Sequence, residues 1–413
     1  MRVMYLSPTG QLGGAESSLL DILASLRLAE PSWPLHLLAA SDGPLIGRAR
    51  SLGVTAEVLP FPSAIARLGE HGATASGEPG NNVRFAAQIA LASAAAVRYR
   101  SALGRAIDAF DPAIVHTNGL KMHVLGAWGI RPGRQGRRPG LVWHLHDYLG
   151  TRRMTTKLLR WRHGCPGRPT TVVTNSASVA ADATRALANG TRVVTIRNGV
   201  DLDRFSTTGA RANLDAMSGL PQASANTIRV GLVATLARWK GHATFLEAIS
   251  RLPAHLPVRA YIVGDAMYQT EGSQYSLDEL RQMARRSGVA ERVGFTGFVH
   301  TPEATFRALH IVVHASTEPE PFGLVIAEAM ACGRPVIVSN AGGAAEIVTP
   351  GVDALVHTPG DACDLAAQIT ALAGNPELRA RIGSAARATA ERSFDRARLA
   401  TELIPIYQSI TAA

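Results

Sequence analysis

The stretch EPEPFGLVIAEAM at 318–330 places Glu320 and Glu328 eight positions apart, with Pro321, Phe322 and Gly323 between them. Two carboxylates bracketing one short segment suit a ligand that offers vicinal hydroxyls at two places. Pro321 fits a helix start and Gly323 lets a ligand approach the backbone. The N–H groups of Phe322, Gly323 and Leu324 would then cradle an anion or a hydroxyl. Read as one helix, eight residues span about 12 Å, the reach from a sugar across a diphosphate to a ribose. On that reading Glu320 bonds the sugar and Glu328 the ribose. The plainer alternative is a capped helix with acidic residues on its solvated side, and it describes Glu318 well.

Other residues could complete such a site. VATLARWKGH at 233–242 runs from a strand end into a helix start and carries Arg238 and Lys240. Cations at such a place can neutralise a diphosphate, as a metal would elsewhere. Gly10, Gly13 and Gly14 follow the first strand and precede a helix, where backbone N–H groups can meet an anion. Their spacing is not G-x-G-x-x-G, so a dinucleotide fingerprint is not supported. His144 and His146 share a strand and, by alternation, a face. Either could be catalytic, and both could be ordinary buried histidines. Asp201-Leu202-Asp203 spells a D-x-D, read here as a turn cap rather than a metal motif. Glu346 is open between a cap and a ligand contact.

These residues need elements to hold them. Short apolar runs ending in polar residues mark strands at RVMYLS, 35–40, 113–118, 141–146 and 171–176. Helical stretches separate them, as in parallel sheets whose strand ends face a ligand crevice. A Gly- and Ser-rich stretch at 206–227 breaks the rhythm and reads as a linker or an early insertion of a second domain. The pattern restarts with strands at 229–235, 260–265, 292–298, 311–316 and 335–340. The fold class is therefore α/β, with two doubly wound Rossmann-like domains and a cleft between them. We expect the first domain over 1–200, the second over 201–385, and a helical stretch over 386–413 that packs back on the first.

Composition narrows the classes. A chain of 413 residues exceeds one core's usual size. Its most apolar helical run, 86–97, is too short for a bilayer, and MRVMYLSPTG lacks a signal-peptide pattern. Three scattered cysteines without ligand spacing fit a reducing compartment and no zinc site. A cytoplasmic protein is expected. The net charge of +10 is uneven: residues 1–200 hold 23 Lys and Arg against 11 Asp and Glu, and residues 201–413 hold 19 against 21. RPGRQGRRP (131–139) and TRRMTTKLLRWRHG (151–164) concentrate that basicity. The second reads as a basic amphipathic segment at an anionic membrane surface, with a solvated basic face and nucleic-acid contact as alternatives.

With these motifs together, the chain resembles the retaining glycosyltransferases of family 4, the group 1 enzymes of GT-B architecture. The likeness is carried by the glutamate pair and AEAMACGRPVI within 314–348, and by Gly342, Gly343 and Glu346. RNGVDLDRF (197–205), His146–Asp147 and Lys240–Gly241 add to it. The resemblance implies sugar transfer from a nucleoside diphosphate sugar, of uridine or guanosine type, to an acceptor hydroxyl with retention. The basic, Trp-containing segment of the first domain suggests a lipid-linked or otherwise anionic acceptor at the inner membrane face, in assembly of a polysaccharide, lipopolysaccharide or glycolipid, while a soluble glycan fits as well. No metal and no nucleic-acid partner is implied. His146, Glu320 and Lys240 would be catalytic. Gly13, Gly14, Arg238, Lys240, Glu320, Phe322, Gly323, Leu324 and Glu328 would bind the donor, with 294–299 near the base. One departure stands out: Ala234 and Thr235 occupy the positions of the family's Gly-Arg, and Arg238 is the expected substitute. A GT-B epimerase or hydrolase, or a non-enzymatic scaffold at a membrane surface, is the alternative.

Overall fold

The computed structural model describes residues 1–66, 81–131, 138–150, 156–157, 159, 170–187, 190–266 and 272–412. The chain divides into two compact units, one of residues 1–199 with 396–413, the other of residues 200–395.

The first unit is built on a seven-stranded parallel sheet. Its strands are β1 (Val3–Ser7), β2 (Leu35–Ala39), β3 (Thr55–Val58), β4 (Ile114–Asn118), β5 (Gly140–Leu145), β6 (Thr170–Thr174) and β7 (Arg192–Thr195), ordered β3-β2-β1-β4-β5-β6-β7. β1 is buried along its whole length because it pairs on both sides, Val3 with Leu35 and with Ile114. The chain order reverses between β1 and β4, so the loops leaving those two strands diverge and open a crevice at their C-terminal ends. The helix Gly14–Ala29 follows β1 and buries Leu19, Ile22, Leu23 and Leu26, one stripe at helical spacing.

The second unit repeats the winding in six parallel strands: β8 (Ile228–Val233), β9 (Val258–Val263), β10 (Val293–Gly297), β11 (Ile311–His314), β12 (Val336–Ser339) and β13 (Leu355–His357). Their order is β10-β9-β8-β11-β12-β13, with the reversal between β8 and β11. β3, β7 and β13 are absent from the sequence reading, and all three lie at sheet edges. β3 is exposed at three of its four positions, so it lacks the continuous apolar run that marks a strand buried on both faces.

Residues 206–227 are a packed part of the second unit. Leu214 sits in its core, and Asp215 accepts hydrogen bonds from Arg259 Nη1 at 2.7 Å, Arg229 Nη2 at 3.2 Å, the Ala223 N–H at 3.1 Å and the Tyr261 hydroxyl. Burial would raise this carboxyl. The hydrogen bonds from Tyr261, Ala223 and the two arginines instead hold it well below the usual carboxylate range. This is the insertion reading, with a mechanism: β8 and β9 supply the cations that clamp the segment.

The return to the first unit falls at Arg396 rather than at 386. The helix Pro376–Ser393 packs on the helix Leu324–Ala331, and Phe394 is buried against Phe322, so this stretch belongs to the second unit. From there the helix Arg398–Ala412 packs on Gly14–Ala29, burying Leu399, Leu403, Ile406 and Ile410 with Val3 and Leu23. Each such side chain contributes about 1.5–3 kcal/mol of burial. The fit is close: a Cβ on Gly140 would lie 2.2 Å from Ile410.

Candidate functional site

Each unit gathers polar side chains at its own reversal point. In the second, the chain leaving β8 forms a 3-10 turn, Arg238–Lys240, and closes on Gly241 with φ of 75°. A Cβ at Gly241 would meet the Ala315 carbonyl oxygen at 1.9 Å, so only glycine lets this turn press against the end of β11. The Thr317 N–H latches onto the Trp239 carbonyl at 2.8 Å. The result is an ion pair: Lys240 Nζ stands 2.6 Å from Glu320 Oε2, with the two side chains 21% and 16% exposed.

Glu320 is held from further directions. Ser316 Oγ donates to Oε2 at 2.9 Å, and His314 Nε2 lies 3.5 Å from it. Burial alone would raise this carboxyl, but Lys240 and His314 keep it ionised, well below its usual range. Behind them Ser339 Oγ bonds the Ser316 carbonyl and His357 Nε2 the His314 carbonyl at 3.1 Å. The sequence reading missed His314 and Ser316. Their spacing of two at the end of a strand was the available signal, since alternation aims both to one side.

One expectation about this segment changes. Glu320 is not on the helix with Glu328: the helix begins at Leu324 behind Gly323, and Glu320 lies in a bridge to Gly342. The 12 Å helical span therefore does not describe the pair. Phe322 turns its side chain into the core, 2% exposed. What this stretch offers outward is backbone: Gly323 adopts φ of 86°, and the N–H groups of Leu324 and Val325, at the start of an eight-residue helix, meet no acceptor among the described residues. Glu328 is half-buried on that helix.

Arg238 also departs from expectation. Its guanidinium donates to the Gly272 carbonyl at 2.9 Å and to Glu279 Oε1 at 2.9 Å, and lies 4.3 Å from the Tyr275 ring centroid. It anchors the turn that carries Lys240 to the 272–279 segment, and its donors are directed there rather than toward Glu320. Thr235, in the place of the family's arginine, has a buried hydroxyl without a partner among the described residues.

In the first unit, a cavity of about 290 Å³ opens at the β1/β4 reversal, with Glu16, Lys121, His123, His146 and Asp147 in its wall. Gly13 caps the helix Gly14–Ala29 and gives its N–H to Glu16 Oε2 at 3.1 Å. A Cβ on Gly14 would meet nothing within 4 Å, so that backbone is open to a ligand. His146, just beyond β5, donates from Nε2 to Asn118 Oδ1 at 2.6 Å, and Asn118 Nδ2 donates to the Ala15 carbonyl at 3.2 Å. His144 is buried, its ring 4.2 Å from that of His146 and 5.3 Å from that of His116. Burial lowers His146 to about 4; burial and the neighbouring His146 lower His116 to about 3, so both are neutral near pH 7.

That neutrality carries a pH dependence. Between about 6.5, the ordinary histidine value, and these folded values, the unfolded chain binds protons that the folded chain does not. Stability is therefore full above about pH 6.5 and is lost as pH falls toward 4, with up to about 1.4 kcal/mol per pH unit from each such histidine. Thermal midpoints between pH 7.5 and 4.5 should fall with that sign, and His144→Phe should flatten the slope; a flat profile in the unaltered protein would contradict the assignment.

Asp201 behaves as a turn cap, its Oδ1 accepting the N–H groups of Asp203 and Arg204 at 3.2 and 3.0 Å. The basic stretches at 131–139 and 151–164 lie mostly outside the described residues. Among the described residues no helix is long and apolar enough to cross a membrane.

Comparison with known families agrees with this geometry. Residues 12–204 match the model for Glycosyltransferase Family 4, and residues 222–389 match that for Glycosyl transferases group 1. The D-inositol 3-phosphate glycosyltransferase of Xylanimonas cellulosilytica is 32% identical over 231 residues, 53% of this chain and 52% of the relative. The glycogen synthase of Mycobacterium tuberculosis is 30% identical over 240 residues, 57% of this chain and 53% of the relative. The chain thus spans about half the length of these curated relatives. Among solved structures, Anabaena Alr3699/HepE in complex with UDP-glucose superposes with a TM-score of 0.77 at 27% identity, covering 99% of this chain and 100% of that one. The two matched segments take in most of both units, and the chain belongs to the group 1, family 4 glycosyltransferases of GT-B fold.

Proposed function

We propose that the protein transfers a sugar from a uridine diphosphate sugar to an acceptor hydroxyl with retention of configuration, in assembly of a polysaccharide, lipopolysaccharide or glycolipid. The observation that carries this reading is the Lys240–Glu320 pair at the β8/β11 reversal, 2.6 Å apart. An ionised, oriented carboxylate beside an ammonium suits a donor that offers hydroxyls next to a diphosphate. Glu320, an acceptor only, takes sugar hydroxyl hydrogens. Lys240 and the helix start at Gly323 face the negative charge that grows on the leaving diphosphate. Glu328 takes the ribose hydroxyls. HepE, solved with UDP and with UDP-glucose, supports the uridine type.

The first unit supplies the acceptor side. Gly13, whose N–H is held by Glu16, and Gly14 form the loop assigned to the donor's sugar and diphosphate, and His146 presents a neutral imidazole held by Asn118. Because both motif glutamates serve the donor, no carboxylate is assigned to a covalent intermediate, and a front-face displacement follows, with the leaving phosphate drawing the acceptor proton. A contact between the basic segments and an anionic membrane would place a lipid-linked acceptor beside this unit.

Calorimetry with UDP-glucose tests the reading, and stabilisation by a panel of nucleoside diphosphate sugars ranks donors. Binding is expected to survive Arg238→Ala within about threefold, since that side chain faces Glu279. Absence of any nucleoside diphosphate binding would sink the proposal and favour a non-enzymatic scaffold.

A further inference from the structure

His144 lies against the site histidine with a ring that gives the fold no hydrogen bond. It is 1% exposed, and its Nδ1 and Nε2 are both buried without a partner among the described residues. Buried polar atoms without partners lose their hydration and gain nothing for it, so the nitrogens of this imidazole add nothing to stability. What His144 does form is the middle of a row of rings. On one side its centroid lies 4.2 Å from that of His146, at an interplanar angle of 33°. On the other it lies 5.3 Å from that of His116, edge to face at 65°. His116 is fixed in turn: its Nδ1 stands 2.7 Å from the Tyr407 hydroxyl, and its ring lies 5.1 Å from that of Tyr5. The two tyrosine hydroxyls stand 3.1 Å apart. The row therefore runs from the helix Arg398–Ala412, over β1, β4 and β5, to His146 in the cavity wall.

We propose that His144 is a positioning residue for sugar transfer, its flat ring setting the plane in which His146 meets the substrate. The inference rests on the transferase reading, with His146 as its site histidine. Asn118 and His144 stand in register on β4 and β5, and between them they hold that side chain by its edge and by its face. Asn118 Oδ1 takes the edge, 2.6 Å from Nε2. One hydrogen bond pins one atom and leaves the ring to swivel about that contact, since χ2 of a histidine is a broad, soft torsion. A second ring laid against the face removes the swivel. His144 is itself kept from turning by His116, which is tied through Tyr407 to the helix Arg398–Ala412. A misplacement of about 1 Å costs about a hundredfold in rate, so a swivelled His146 lowers turnover. Donor binding, assigned to Lys240 and Glu320, stays as it was.

Substitutions at position 144 separate the plane of the ring from its bulk, on the full chain with UDP-glucose as donor and water as acceptor. His144→Leu fills the site without a flat face, whereas His144→Phe restores one. Neither buries an unpaired nitrogen, so both should fold, as near-ultraviolet circular dichroism will show. His144→Met, a flexible filler, repeats the comparison if the leucine variant does not fold. His144→Leu is expected to lower kcat for UDP release by about tenfold or more and to leave KM for UDP-glucose within about twofold. His144→Phe should return kcat to within about threefold of the unaltered protein. Turnover by the leucine or methionine variant equal to that of the unaltered protein overturns the inference and leaves the transferase reading standing. So does a loss carried by KM alone, or a loss in the phenylalanine variant as large as in the leucine one. An unaltered protein that releases no UDP from UDP-glucose would bring down both.

Discussion

Lys240→Ala is expected to abolish measurable sugar transfer and to destabilise the second unit at once. Glu320 is 16% exposed and ionised, so removing its ammonium leaves a largely buried carboxylate without its charge partner. Breaking such a pair from one side costs about 3–5 kcal/mol. The same substitution removes the cation assigned to the leaving group, which adds a loss of about a hundredfold or more in turnover. A double-mutant cycle with Glu320→Gln separates the two effects. The double variant should regain much of the stability, because no uncompensated charge remains, and should regain none of the activity. Urea unfolding and the rate of UDP release read the two quantities; a Lys240→Ala protein with unaltered stability would show that the pair is not coupled as its geometry indicates.

The second large effect is purely structural. Asp215→Ala removes the shared acceptor of Arg229, Arg259, Tyr261 and the Ala223 N–H. Its carboxylate side chain is 6% exposed, whereas the arginines are 25% and 18% exposed and can recover some hydration. The loss should lie near the lower end of the 3–5 kcal/mol range for a broken buried ion pair. At about 2–4 °C per kcal/mol for a unit of this size, the melting midpoint should drop by roughly 6–12 °C. Hydrogen exchange should rise first across 206–227, the segment that Asp215 clamps. An unchanged midpoint would mean the two arginines are satisfied elsewhere.

Much of this was legible in the residues. The ten strands that run through the interiors or at the β10 edge announce themselves as apolar runs with polar ends, because parallel strands covered on both faces have no solvent side to alternate with. The edge strands β3, β7 and β13 do not, since a strand paired on one side needs less apolar sequence. The two glutamates and Lys240 stand out in the sequence because few residue types suit a diol and a phosphate, although the shared helix read from the spacing of the glutamates is not there. His314 and Ser316 left only their spacing of two at a strand end as a signal, and their approach to Glu320 shows only in the fold. The Thr117 hydroxyl lies 2.6 Å from His123 Nδ1 and 3.1 Å from the Val142 carbonyl on β5, and periodicity carries no trace of such contacts. Arg238 shows a related effect. Its sequence neighbours suggest a phosphate ligand, but the partner that captures it, Glu279, is 41 positions away.

The discontinuity of the first unit has a bearing on biosynthesis. Residues 200–395 form one uninterrupted segment whose contacts are all available once Asp395 has left the ribosome. The sheet of residues 1–199 must wait, with Val3, Leu23 and Tyr5 lacking the cover that Leu399, Leu403 and Tyr407 later provide. Domains usually complete in order of synthesis, N-terminal first. Here the helix Arg398–Ala412, which completes the first unit, is made only after the whole second unit, so the earlier-made sheet carries uncovered apolar side chains until then.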